Sequence, residues 1–269
     1  LAGYGAASVI QPLGGQGSRV SGLMTYMNES GPSGRQALVG AAESTLQSRS
    51  KRHTLQLLIA GSRTGPRDEQ VVGSQQAARL SAGLGAGGVL TGTVWNVTRD
   101  YDVNDVGYID RPDQRGVALV HTKTWDRTWG ALRNWYTEVT AGRTDDQRGR
   151  PFSSALGVRA GTELTSQWRV SVDIARDLPV LDDRELRTFG DARKKYLRVE
   201  GGSAFTATFG APRHWWWSPE GSFSVARRYG GSGHEAALVQ TLRPSSRWQI
   251  DIESRYTEER GVERYQATL

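Results

Sequence analysis

Asp100, Asp102 and Asn104, within DYDVNDVGYIDRPDQRG at 100–116, place oxygen-bearing side chains on every second residue, as the start of a calcium loop does. An EF-hand loop wants glycine at its sixth position and a bidentate glutamate at its twelfth. Counted from Asp100, those positions hold Asp105 and Arg111, so a cation stands where the closing ligand belongs. The remaining calcium candidate is an irregular site built from Asp100, Asp102 and Asp105. The alternative is turn chemistry, in which Arg111 and Arg115 neutralise the aspartates and Asn104, Gly107 and Asp113 shape the chain.

Other chemistry-bearing residues are dispersed. His53, His121, His214 and His234 stand singly, with no partner at metal-ligand spacing. Without cysteine, thiolate metal sites and disulfides are excluded. GLGAGG matches a dinucleotide fingerprint through Gly83, Gly85 and Gly88, but the strand-like VLTGTVWNV follows where that motif needs a helix. A tight turn is the better reading. Asp182, Asp183 and Glu185, followed by Arg187, Arg193, Lys194 and Lys195, read as a solvated loop of mixed charge. No serine sits in a GxSxG elbow. The expectation is a protein with no catalytic residue and no cofactor.

The elements that carry these residues announce themselves by alternation. In WQIDIESRY, Trp248, Ile250, Ile252 and Tyr256 fall on one side and Gln249, Asp251, Glu253 and Arg255 on the other. WRVSVDIAR sets Trp168, Val170, Val172 and Ile174 against Arg169, Ser171 and Asp173. YLRVEGGSAFTATF sets Leu197, Val199, Phe205 and Phe209 against Arg198, Glu200, Thr206 and Thr208. Period two over such lengths means strands with one apolar face, since helices repeat every three to four residues. About 13 to 14 strands of roughly nine to twelve residues are counted, separated by turn clusters such as SGPSGR, TDDQRGRP and YGGSGH.

A soluble sandwich or propeller also alternates, but its strands average about five or six residues. Here aromatic residues gather near strand ends: Trp95, Trp125, Trp135, Trp168, Trp217 and Trp248, with Tyr136, Tyr196, Tyr229 and Tyr256. Long strands, aromatic ends, one apolar face and one charged face suit a barrel that crosses a bilayer. The mean hydropathy of −0.53 fits, because only half of each strand would meet lipid. Alanines on the apolar faces (Ala78, Ala82, Ala141 and Ala160) run against it. In HWWWSPEG, Trp215 and Trp217 share a side and suit the headgroup level, whereas Trp216 points the other way, to a lumen or rim. The net charge of +6 is spread along the chain, so no nucleic-acid partner is expected. No run approaches the roughly 20 apolar residues of a membrane helix. The opening LAGYGAASVIQPLGG lacks a basic start, and the numbering is expected to begin inside a longer precursor.

One resemblance adds to this. Val103, Asn104, Gly107, Tyr108, Arg111, Asp113 and Arg115 resemble a stretch F-N-P-x-x-G-F-x-x-R-x-D-x-R. That stretch lies between two barrel strands of a bacterial family that joins a periplasmic domain, similar to carbohydrate-binding module family 9, to an outer-membrane barrel. Val103 replaces its phenylalanine and Asp105 its proline, with one residue instead of two before Gly107, and the final VERYQATL is similar to the family's later barrel strands. The resemblance implies an outer-membrane location and brings no catalytic residue.

The expectation is therefore all-β: residues 1–269 as a single antiparallel transmembrane β-barrel of about 14 strands, part of a longer chain of a Gram-negative outer membrane. Arg169, Asp173, Arg198, Glu200, Asp251, Glu253 and Arg255 would line a charged, partly occluded lumen. Trp168, Trp215, Trp217, Trp248 and Tyr256 would sit at the membrane interface. Its partners would be outer-membrane lipid, other subunits, or a periplasmic domain of the same chain. The function would be a pore, transport channel or assembly scaffold. The rivals are a soluble all-β carbohydrate-binding module with tryptophan platforms, and a barrel lipid hydrolase that would need a converging Ser–His pair.

Overall fold

The computed structural model describes residues 2–14, 17–29, 31, 34–66, 68–103, 112–182, 197–228 and 231–261. Its strands are β1 (Ala2–Pro12), β2 (Arg19–Glu29), β3 (Arg35–Gln47), β4 (His53–Pro66), β5 (Val71–Gly85), β6 (Gly88–Val97), β7 (Gln114–Trp125) and β8 (Leu132–Asp145). They continue with β9 (Pro151–Leu164), β10 (Arg169–Asp177), β11 (Val180–Asp182), β12 (Leu197–Val199), β13 (Gly202–Gly210), β14 (Trp217–Arg228), β15 (Gly231–Ser245) and β16 (Trp248–Arg260). The fold is all-β, and no helix occurs among the described residues.

Fourteen strands form one antiparallel sheet in chain order, β1 to β10 and then β13 to β16. Among the described residues β11 and β12 pair with each other and not with the large sheet. β1 and β16 each have a single neighbour in this order. The expected strand over 196–209 is thus broken: Glu200 and Gly201 separate β12 from β13. The physical reason is the Gly201–Gly202 pair, which weakens a strand interior. Main-sheet strands reach 15 residues, longer than alternation suggested.

Contacts divide the chain into two compact units. The first is Leu1–Leu84, Val89–Leu119 and Gly142–Phe152; the second is Gly85–Gly88, Val120–Ala141 and Ser153–Leu269.

In the first unit, register places Ile59 beside Ala42 and Gln76 on one face of β4. Ala60, beside Ala41 and Gln75, lies on the other. Ile59 is 64% exposed and Val72 69%, whereas Ala60 and Ser62 on the opposite face are 4% and 2% exposed. The usual arrangement is reversed: large apolar side chains face out, and small or hydroxylated ones are covered. The cover is the chain after β6. Tyr101 packs with Ala60 and Val97, joined by Ala41, Trp95 and Val103. Gly73 is required beneath it, since a Cβ there would overlap the Tyr101 backbone. Trp95, near the end of β6 as expected, belongs to this covered side and lies over Gly116.

In the second unit, register carries one apolar face across β9, β10, β13, β14, β15 and β16. Val158, Ile174, Phe205, Val225 and His234 are successive partners in one row. Leu242 and Ile250 close another. Ile174 is 53% exposed, Phe205 39% and Ile250 49%. On the opposite face of β10, Ser171 and Asp173 are half-buried.

Candidate functional site

The charged face of the second unit brings together most of the polar residues singled out from the sequence. Asp173 opposes Arg159 on β9, and Arg159 Nε donates to Asp173 Oδ2 at 2.9 Å. Arg169 opposes Glu163 on β9 and Gly210 on β13, and its Nη2 reaches across to Glu220 Oε1 on β14 at 3.0 Å. Arg213, in the turn before β14, stands 3.6 Å from the same carboxylate oxygen. Glu163 also accepts from Arg133 Nη1 on β8 at 2.8 Å. Arg255 on β16 donates to Glu235 on β15 at 2.6 Å. Asp251 accepts from Thr241 Oγ1 at 2.7 Å and from Gln249 Nε2 at 2.8 Å. Glu253 shares the Asp251 side of β16, opposite Val239.

Arg198 and Glu200 lie elsewhere. Arg198 is on β12, outside the large sheet, and Glu200 follows that strand. They do not join the ladder of charges. In their place the sheet contributes Arg159, Glu163, Glu220 and Glu235, which the sequence reading passed over. Arg159 and Glu220 alternate with apolar neighbours in SSALGVRAG and SPEGSFSV, so parity was the available signal, but their partners are a matter of register.

Between these pairs the face is hollowed. A depression of about 520 Å³ is lined by Tyr136, Glu163, Arg169, Ser171, Thr208 and Glu220 among others. The arrangement offers paired carboxylates and guanidiniums, hydroxyls and one phenol. It presents no histidine base beside a nucleophile.

The tryptophans among the interface candidates gather at one end of the second unit. Trp168 meets Trp215 edge-on, ring centroids 6.1 Å apart, and Phe209 at 6.3 Å. Trp217 opposes Leu242, and Trp248 begins β16 on the same side as Ile250. Trp125 and Trp135 stack at 3.5 Å, with Lys123 Nζ 5.5 Å from the Trp125 ring. Every tryptophan except Trp95 lies where an odd-numbered strand of the second unit ends or an even-numbered one begins. In an antiparallel meander those points share one end. Tyr256 lies eight residues along β16 from Trp248, ~27 Å at ~3.4 Å per residue.

Of the calcium candidates, Asp100 and Asp102 are described and belong to the first unit. Asp100 is exposed, while the Asp102 backbone N–H donates to Ser62 Oγ at 3.0 Å. Asp105 lies outside the described residues. Among the described residues no group of three or more acidic or histidine side chains comes together. The stretch is instead pinned at both ends. The Asp113 N–H donates to Thr98 O at 3.3 Å, and Asp113 itself adopts φ +60°. Burial pushes the Tyr101 phenol above its ordinary value. Nearby, burial raises the Asp146 carboxyl, but hydrogen bonds from the Arg150 backbone and guanidinium and from the Arg148 N–H outweigh it and hold the group low. Of the stretch that carries the family resemblance, Val103, Asp113 and Arg115 are described; Asn104, Gly107, Tyr108 and Arg111 lie outside the described residues, as does VERYQATL.

Comparison with protein-family models, curated proteins and solved structures finds no match for this chain.

Proposed function

We propose that this chain forms a β-barrel of a bacterial outer membrane and works as a pore, transport channel or assembly scaffold. The observation that carries the reading is the exposed apolar face. Val158, Ile174, Phe205, Phe223, Ile250 and Ile252 are each 39–53% exposed on the same side of the second unit. Water tolerates single exposed apolar residues, not contiguous faces of them, and such a face marks an interaction surface. Lipid is the occupant that suits a face this long. Trp248 and Tyr256 bracket Ile250, Ile252 and Ser254 over a length of strand comparable to the ~25 Å band of outer-membrane barrels.

The edges sharpen the reading. Tyr4, Val9 and Ile10 on β1 are 72%, 65% and 68% exposed, and β16 is exposed almost throughout. An unpaired strand edge in hydrocarbon costs several kcal/mol for each orphaned backbone group. β1 and β16 must therefore find partners: each other, further strands, or another subunit. Fourteen meandering strands leave the first and last antiparallel, the sense an even-stranded barrel needs. The charged face would then line the lumen. Because its charges are paired, such a lumen carries little net field and would discriminate weakly between cations and anions.

Cell fractionation tests the proposal. The chain should stay with carbonate-washed outer membranes and need detergent for release. Recovery in the soluble fraction would sink it. Planar-bilayer recording then separates pore from scaffold, since only a pore conducts.

A further inference from the structure

The depression on the charged face of the second unit has a specific floor. The tip of the Tyr136 ring occupies the space above Gly161, where a Cβ would come to 2.6 Å from Tyr136 Cε1. Only glycine lets the ring lie against β9 in this way. Around the ring stand the charged pairs and a hydroxyl pair, Ser171 Oγ and Thr208 Oγ1, 2.7 Å apart.

Charge decides which ligand suits this hollow. Glu220 engages Arg169 at 3.0 Å and Arg213 at 3.6 Å, and Glu163 engages Arg133 at 2.8 Å, so each carboxylate and each of these guanidiniums already has a partner. An anion or a cation would have to break one of these pairs to be recognised. A neutral polyhydroxylated ligand would not: each hydroxyl donates to a carboxylate and accepts from a guanidinium or a neighbouring hydroxyl. The apolar C–H face of a pyranose needs an aromatic surface, and Tyr136 supplies one with a polar tip. About 520 Å³ falls within the range of small-molecule sites.

We propose that this depression is a binding site for neutral carbohydrate, with a sugar ring over Tyr136 and its hydroxyls held by Glu163, Arg169 and Glu220. As a binding site it stands whether or not the sheet crosses a membrane. As a station on a solute's route it rests on the pore reading.

The test is saturation-transfer NMR on the full chain, in a detergent without a sugar headgroup. Maltohexaose, cellohexaose and N-acetylated chitohexaose are the probes, with glutamate and spermidine as charged comparisons. At least one hexasaccharide should bind. Tyr136→Ala should weaken it about tenfold, and Tyr136→Phe should stay within about threefold of the parent. Gly161→Val, which lifts the ring away without removing it, should behave as Tyr136→Ala does. Tryptophan fluorescence matching the parent would show that each variant is folded. Binding by none of the three sugars overturns the proposal, as does equal binding by Tyr136→Ala or tighter binding of either charged compound. Soluble fractionation together with sugar binding would sink the barrel and leave the site; membrane retention without sugar binding would sink the site alone.

Discussion

The two units treat the covered side of their strands in opposite ways. In the first, Tyr101 and Val103 come back over Ala60, and the Asp102 backbone donates to Ser62, so a strap of chain fills the space. In the second, the corresponding polar side holds no such strap among the described residues. Arginine and glutamate side chains span it instead, and a hollow remains. A face filled by backbone and an aromatic ring is closed by packing, which is costly to disturb. A face spanned by solvated ion pairs is held by weak, exchangeable contacts and can admit a ligand.

The largest expected effect comes from breaking the packed side. Tyr101→Ala should cost about 3–5 kcal/mol in denaturant unfolding, as loss of a large buried aromatic does. Gly73→Val should act in the same direction by pushing the strap off. Unchanged stability in both would mean that the strap covers nothing. Next is the apolar face of the second unit. Ile174→Arg should cost about 2–4 kcal/mol when folding is titrated into lipid vesicles, because a charge then sits in hydrocarbon. In water the same substitution would stay within about 0.5 kcal/mol, and that outcome would remove lipid from the account.

A smaller effect belongs to the turn between β8 and β9, in the first unit. Asp146 is nearly buried and bonded to Arg150, so Asp146→Asn should cost about 2 kcal/mol. Its carboxyl is held below the ordinary aspartate value, so the stabilisation is complete above that value, about pH 3.9, and is lost as pH falls through the folded one. Amide-exchange protection at Arg148 and Arg150 should collapse below pH 3.9 in the parent, with no such step in Asp146→Asn. The smallest effect is on the charged side. Arg159 and Asp173 have side chains 52% and 36% exposed, and a double-mutant cycle should give a coupling below about 1 kcal/mol. A coupling several times larger would mean the second unit's face is as dry as the first's.

Much of this is legible in the sequence. The faces of β10 and β16 followed from parity alone, and Arg169, Asp173, Asp251, Glu253 and Arg255 all fell on the charged side. Arg198 and Glu200 were misplaced because parity continues through a glycine pair that the chain uses to leave the sheet. Trp95 stands near the end of β6 as its sequence position suggests, but which face it takes is a matter of packing. Tyr136 reads in the sequence only as one more aromatic near a strand end, since nothing local distinguishes a tyrosine that lies over a glycine 25 residues later.

The stretch that opens as a calcium loop shows where the division lies. Its composition was enough to weaken the metal reading, because Arg111 occupies the closing position. That it sends Tyr101 onto Ala60, and pins Asp113 to Thr98, depended on chain segments far away in sequence. Alternation is a property of each strand by itself, so the sequence determined the strands and the two kinds of face they carry. Register and loop placement are relations between segments. Only the tertiary structure decided that Arg169 would reach Glu220 across 51 residues, and that one covered side would be packed while the other stayed open.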